Sequence, residues 1–354
     1  VIRVPARRLS DKVLQATIDA IDAADGNISL AARTTGIGRS TLEGRYRTAL
    51  ARFNITPHDE EGDDQDGTVT LPVFPDDDIE IDEILNHLSK RWSKKQENED
   101  AKRWFKIVIN SDDCYGLAVV GDPHLGQQCN IPLLRRDVEI MSTTPGIGCV
   151  NIGDVTNNWA SYGRLAQLYS EEDMSRPTER KLAKWFLEAC PWVVWLEGNH
   201  DAMHGELSVY LRSVNVKQIP MLDWAAKFKL VFPSCEIKID AAHNHKGTSV
   251  YNPLHGQKRA DLWGEDADIF VAGHHHTWAL AQSERTDGSC VVYARCRGYK
   301  WQDEYARRHG FNEENYGSSI MFVIDPKAPP NTRVKPFADL AEGAEFLTWK
   351  RSRK

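Results

Sequence analysis

A strand-like run that stops abruptly at a knot of polar residues constrains this chain most. Trp192-Val193-Val194-Trp195-Leu196 is apolar on both faces, as a fully buried strand must be. It breaks at Gly198 and delivers Asn199, His200 and Asp201 together. The same pattern recurs. Tyr115–Val120 ends at Gly121-Asp122-Pro123-His124, Cys149–Ile152 ends at Gly153-Asp154, and Asp268–Ala272 ends at Gly273-His274-His275-His276. Chains of this kind form open α/β sheets, with their sites gathered where the strands end.

Between the strand runs lie helical patterns at 132–141, 161–172 and 178–190. Further strands are expected at Lys229–Phe232, Glu236–Ile239, Ser249–Tyr251, Val291–Ala294 and Ile320–Ile324. No internal repeat is present. Seven dispersed cysteines without a Cys-x-x-Cys pair fit reduced, buried thiols and a cytoplasmic setting better than a disulfide framework. No apolar run reaches the length of a membrane span, and Val1–Arg8 lacks the apolar segment of a signal peptide.

The net charge of −7 hides a division. Residues 54–89 hold twelve acidic side chains and no Lys or Arg, so the remainder of the chain carries +5. An acidic, Pro- and Gly-containing linker at 57–83 therefore separates a small N-terminal part from a large C-terminal one. Residues 84–103 fit a connector helix, with Ile84, Leu85, Leu88 and Trp92 on one face, and 104–354 form the main domain. The mildly basic remainder permits a nucleic-acid partner.

Within residues 1–56, an amphipathic helix over 9–25 starts at Ser10 as N-cap and stops at Gly26-Asn27. A second helix carries Ala31-Ala32, turns at Gly36, and is followed by a third that Ser40 or Thr41 can open. The third bears Arg39, Arg45, Arg47 and Arg52, spaced to reach bases and phosphates of a duplex. Residues 10–53 resemble the helix-turn-helix modules of DNA-binding regulators and recombinases. The competing reading is a small three-helix bundle that binds protein or packs on the main domain.

The polar clusters supply Asp, Asn and His, a donor set of hard to borderline ligands that suits Mn²⁺, Fe or Zn²⁺. Two ions need a shared carboxylate and several separate ligands, and the inventory suffices. In order, the clusters are Asp122-x-His124, Gly153-Asp154, Gly198-Asn199-His200-Asp201, His255-Gly256 and Gly273-His274-x-His276. This ordered set resembles the calcineurin-like metallophosphoesterase superfamily.

The resemblance implies a β-sandwich flanked by helices in an αββα arrangement and a dinuclear centre holding two divalent ions, foremost Mn²⁺, with Fe, Zn²⁺ or Mg²⁺ as alternatives. Asp122, His124 and His276 would hold one ion; Asn199, His255 and His274 the other; Asp154 would bridge. His200 would be the proton donor, oriented by Asp201, with metal-bound hydroxide attacking phosphorus. Two points of the pattern stay open. Asn157 stands where many members have aspartate, and the lone histidine is His255 or one of His243 and His245; His255 is preferred because His-Gly follows an apparent strand. His245, Lys246 and Arg259 are candidate phosphate contacts, and Arg295, Arg297, Lys300 and Trp301 a candidate substrate wall. His204 and His309 are expected to be ordinary surface or core residues.

Asp122-Pro123-His124-Leu125-Gly126 further resembles the opening motif of SbcD-like repair nucleases. Together with the N-terminal module this implies a DNA-directed nuclease or phosphodiesterase, of a compact design that suits a phage genome. The alternatives are a phosphomonoesterase acting on protein or nucleotide, and a non-catalytic DNA-binding protein. DNA is the expected partner, no membrane is expected, and a homo-oligomer is compatible with the sequence.

Overall fold

The computed structural model describes residues 9–55, 81–203, 206–264, 266–301, 307–308, 310 and 317–353. His204, His309 and most of the acidic linker lie outside the described residues. The chain divides into two compact units, Val1–Ile79 and Glu80–Lys354.

The described residues of the first unit form three helices, α1 (Asp11–Asp22), α2 (Ile28–Thr35) and α3 (Arg39–Phe53). Asn27 caps α2 by accepting from the Leu30 amide at 3.0 Å, and Gly36 ends it in the left-handed conformation that glycine adopts without strain. Gly38 stands at the N-cap of α3, two or three residues earlier than the hydroxyls expected there. Leu14, Ile18, Ile21, Ala31, Leu42 and Ala49 make the core. On α3, Arg39 and Arg47 are exposed and Arg45 is half-buried. Arg47 pairs with Glu43, whereas Arg52 is tied to Asp11 and the Leu9 carbonyl.

The second unit opens with α4 (Ile81–Lys102), none of whose residues is buried. Two six-stranded sheets follow. In one the order is β12 (Val334–Phe337), β11 (Ile320–Ile324), β2 (Tyr115–Val120), β3 (Ile147–Asn151), β4 (Trp192–Glu197) and β5 (Met221–Asp223). In the other it is β1 (Phe105–Val108), β6 (Ala225–Val231), β7 (Glu236–Ala242), β8 (Ile269–Ala272), β10 (Cys290–Arg295) and β9 (Ala279–Glu284). β2 to β5 run parallel, as do β7, β8 and β10.

One face of each sheet meets the other. Leu117, Val119, Val150 and Leu196 pack with Phe228, Ile239, Ile269 and Val292. The opposite face of the first sheet, with Ala118, Val120 and Trp195, lies among residues of α5 (Ile131–Thr143), α7 (Arg176–Ala189), α9 (Glu206–Val214) and the last helix, Leu340–Ser352. Phe270 and Tyr293 on the second sheet pack with Leu254 and with Ala260 of α10 (His255–Trp263). The result is the layered helix–sheet–sheet–helix arrangement. Covered on both faces, β2 and β3 are buried at every residue, which is why they read as continuous apolar runs.

Ser249–Tyr251 is not a strand. Val250 and Tyr251 are almost fully exposed in a loop, because their β-favouring side chains find no strand to pair with. All seven cysteines are free. No described helix is long and apolar enough to cross a membrane.

Candidate metal centre

The C-terminal ends of β2, β3, β4, β7 and β8 lead into one cluster. Asp122 and His124 follow β2, Asp154 follows β3, and Asn199 and His200 follow β4 on the short helix Asn199–Ala202. His243 follows β7, and His274 and His276 follow β8. Asp122, His124, Asp154, His274 and His276 all take positive φ, between 43° and 67°. A non-glycine residue in that region costs on the order of 1–3 kcal/mol and persists only where its surroundings over-determine it. Five such residues at one point mark a place where backbone ease is given up for side-chain placement.

Glycines make that convergence sterically possible. Gly153, at φ +105°, leaves no room for a Cβ, which would lie 2.5 Å from the Gly198 nitrogen. A Cβ on Gly198 would lie 2.2 Å from the Asp154 carboxylate. The loops after β3 and β4 thus touch backbone to backbone.

Among the described residues, three groups of ligand atoms lie close enough to share an ion: Asp122, His124 and His276; His124, Asp154 and His200; and Asp154, His243 and His274. Hydrogen bonds fix which ring nitrogens face inward. His243 Nδ1 donates to the Ile152 carbonyl at 2.8 Å. Its Nε2 then confronts Asn199 Oδ1 at 2.9 Å, His274 Nδ1 at 3.0 Å and Asp154 Oδ2 at 3.3 Å. At His124 a relay does the same. The Asn157 amide nitrogen donates to Glu172 at 2.9 Å, so its oxygen accepts from His124 Nδ1 at 3.1 Å. That leaves His124 Nε2 turned toward Asp154 Oδ2 at 3.8 Å. Asn157, with Glu172 behind it, therefore orients His124 although it is not an aspartate.

Asp122 is fully buried. Its Oδ2 accepts from the His274 amide at 2.8 Å, while Oδ1 has no hydrogen-bond partner. Burial, with Asp154 nearby, raises its carboxyl to about 8. Burial would raise Asp154 too, but His200 and His243 hold it well below the ordinary carboxylate value. Burial works against charge on His243, yet Asp154 and Asp122 outweigh it and lift the ring to about 9. Burial lowers His274 to about 4 and His276 to about 3, the latter helped by Lys300. His124 is depressed by the same two causes.

His200 donates its amide to Asp154 Oδ1 at 2.8 Å, and its Nδ1 lies 2.6 Å from the Asn157 carbonyl. Its ring packs edge-on against Trp159, with centroids 4.6 Å apart. Burial lowers its basicity, and Lys300, whose ammonium lies 5.1 Å from the Trp159 ring centroid, adds to that.

Two expected roles are corrected by this geometry. His255 is not brought to the cluster; it is exposed at the start of α10 against Gly247, and His243 occupies the place. β7 runs on through Asp240-Ala241-Ala242, so its end falls at His243. Asp201 does not orient the His200 ring. Its carboxylate accepts from the amides of Asp154 at 2.7 Å, Gly198 at 2.8 Å and Val155 at 3.0 Å, which ties the β3 and β4 loops together. The Asn157 carbonyl contacts the His200 ring instead.

Among the candidate substrate contacts, His245 is buried and bonded to Asp240 at 3.0 Å, an internal role. Lys246 is exposed on the following loop, and Arg259 lies over Trp263 on α10. Arg297 donates to the Ala338 carbonyl and covers Trp278, and Arg295 is buried. Of the expected substrate wall, Lys300 acts by its charge on His124, His200 and His276, and Arg295 interacts with Asp122. Sequence reasoning missed Trp159, Glu172 and Asn158, whose amide donates to the His200 carbonyl at 2.7 Å. None of the three stands inside a recognisable pattern.

No family model matches the sequence, and no curated protein matches it. Solved structures with a similar fold include a single mutant of Vps29 from Entamoeba histolytica, 13% identical, covering 63% of this chain and 97% of that one, at a TM-score of 0.35. Wild-type Vps29 complexed with Zn²⁺, from the same organism, is 14% identical over 63% of this chain and 97% of its own, at 0.31. A 5'-nucleotidase from Candida albicans is 10% identical over 70% of this chain and 54% of its own, at 0.31. At such identities and scores, function is left to the residues of this chain.

Proposed function

We propose that this protein is a dinuclear-metal-dependent phosphoesterase that acts on DNA. One observation carries the metal reading: Asn199 Oδ1, His274 Nδ1 and Asp154 Oδ2, each an atom that can bind a cation, converge on His243 Nε2 within 3.3 Å. Ligand atoms gathered in this way suit a cation. The unpartnered, buried Asp122 Oδ1 and the carboxylate–imidazole donor set fit the same purpose. Asp122, His124 and His276 would hold one ion, Asn199, His243 and His274 a second, with Asp154 between them. Such ions supply charge stabilisation at a phosphoryl group and a nucleophile from water at neutral pH.

The chain's own residues do the rest. Asn157 and Trp159 position the His200 ring with Nδ1–H on the Asn157 carbonyl, so Nε2 is the atom that must take up a proton before it can pass one to a departing oxygen. Lys300 brings positive charge to the His124, His200 and His276 side of the cluster, a charge that favours an anionic substrate there. Support for DNA comes from the Asp122–Gly126 motif and from the separate three-helix unit with Arg39, Arg45 and Arg47 on α3.

Metal affinity is expected to fall with pH. Without an ion, His243 keeps a proton up to about pH 9 and Asp122 up to about 8. An ion needs both groups deprotonated, so uptake releases protons, and apparent affinity drops by about tenfold or more per pH unit below 8. Titrations of Mn²⁺ at pH 6, 7 and 8 check this; a flat profile contradicts it.

The substrate is tested with Mn²⁺-loaded protein on supercoiled, linear duplex and single-stranded DNA, beside a small phosphodiester and a small phosphomonoester. DNA cleavage that is lost in His200→Ala supports the reading. Monoester turnover with intact DNA identifies a phosphatase instead. Deleting residues 1–56 is expected to weaken DNA affinity and flatten its salt dependence while sparing the small diester. Unchanged DNA binding removes the role given to the N-terminal unit.

A further inference from the structure

Two tryptophans of opposite exposure stand against the imidazoles of the metal centre. Trp159 packs on His200 and is 6% exposed. Trp224 stands at the other half. Its ring lies 5.0 Å from that of His243 and 6.2 Å from that of His274, and it is 42% exposed.

The backbone gives up conformational ease to keep Trp224 there. It sits between β5 and β6 at φ 61°, in the left-handed region where a bulky residue is an outlier. Its amide donates to the Glu197 carbonyl at 3.1 Å, and its carbonyl accepts from the His243 amide at 2.7 Å. Its indole Nε1 donates to the Asn244 carbonyl at 3.1 Å. These bonds fix the ring in one frame with His243. Strain of this kind gathers at binding and reacting sites. Next to Trp224, Asn244 Nδ2 meets His275 Nε2 at 3.3 Å. Among the described residues, Asn244 Oδ1 is buried with no hydrogen-bond partner. An open aromatic face beside an unused amide acceptor matches an unpaired nucleobase, which offers a face to stack and an N–H edge to donate.

The chemistry assigns this half of the centre one part of the substrate. His200 groups with His124 and Asp154, so an oxygen that takes a proton from it departs on that side. The second ester bond of a phosphodiester does not break, and its nucleoside needs space away from His200. The exposed Trp224, on the His243 and His274 half, borders such a space.

We propose that Trp224 is a stacking platform for an unpaired base of single-stranded DNA, the base of the nucleoside that stays esterified to the phosphate, with the Asn244 amide as its hydrogen-bond partner. The inference rests on the phosphoesterase reading above and adds which part of the substrate this half of the centre holds. A phosphomonoester has no second ester bond, so the platform favours diesters.

Equilibrium binding of two fluorescein-labelled hexamers to the Mn²⁺-loaded chain tests this. One is a single strand of deoxyadenosine; the other has the same sugar–phosphate backbone without bases. Phosphorothioate linkages in both slow cleavage. Equal phosphate charge cancels the electrostatic contribution, so the ratio of dissociation constants reads the bases alone. The wild-type chain is expected to prefer the base-bearing strand by about fivefold or more, the usual size of one base–aromatic stack. Trp224→Leu should abolish most of that preference, and Trp224→Phe, which keeps an aromatic face, should retain most of it. A wild-type chain that binds both hexamers alike overturns the proposal, and so does a preference that survives Trp224→Leu. Loss of metal from both variants overturns it as well, because the ring would then serve to support His243. Hydrolysis of a small phosphodiester by the wild-type chain reports on the assigned reaction separately, so its failure is not confused with failure of the platform.

Discussion

Changing Asp154 to alanine is expected to abolish hydrolysis and to empty the metal centre in one step. No other carboxylate belongs to two of the three ligand groups. Its Oδ2 lies 3.3 Å from His243 Nε2 and 3.8 Å from His124 Nε2, and so faces both halves of the cluster. It is 2% exposed, which leaves no room for a replacement ligand to swing in. The second oxygen accepts the His200 amide, so the position of the proton-passing ring is lost as well. Asp154→Asn separates the effects. The amide oxygen can still accept from His200, but the charge is gone; metal should still be lost and activity should not return. Metal content of the purified chain and turnover of a small diester measure both. Retained metal in Asp154→Ala would show that the carboxylate does not join the two halves.

His200→Ala is expected to behave differently: metal content unchanged, turnover slowed by roughly 10²–10⁴-fold, the usual effect of removing a general acid or base. The distinction rests on the ring's surroundings. Nδ1 is engaged by the Asn157 carbonyl at 2.6 Å and the ring face by Trp159, so Nε2 alone is free to act on the cluster side. His200 also lies within a ligand group with His124 and Asp154. Loss of metal in His200→Ala would place it among the ligands and remove its role in proton transfer.

How far the sequence reveals the site depends on local chemistry. β2, β3, β4 and β8 are legible because both of their faces are buried, and each ends in a glycine that the structure uses for close backbone approach. Asp122, His124, Asp154, Asn199, His274 and His276 follow directly from those ends. His243 does not, because β7 closes on Asp240-Ala241-Ala242, residues of low strand preference that hide its last turn toward the cluster. The same ambiguity promoted His255, since Val250 and Tyr251 imitate a strand in a loop. Asp201 misled for a different reason. The resemblance implied that it orients His200, whereas on a tight helical turn its carboxylate points back to the amides of Gly198, Asp154 and Val155. Asn157 stands inside the pattern after Asp154, but its partner Glu172 and the ring of Trp159 act across the fold and leave no local signature.

Whether the cluster is a dinuclear centre that hydrolyses phosphoesters is decided by following a small phosphodiester as Mn²⁺ is titrated into chelator-stripped protein. Activity is predicted to be absent without metal, to rise with added ion, and to level off at two equivalents per chain. Absence of hydrolysis of diester and monoester alike, at any number of equivalents of Mn²⁺, Fe²⁺, Zn²⁺ or Mg²⁺, would contradict it.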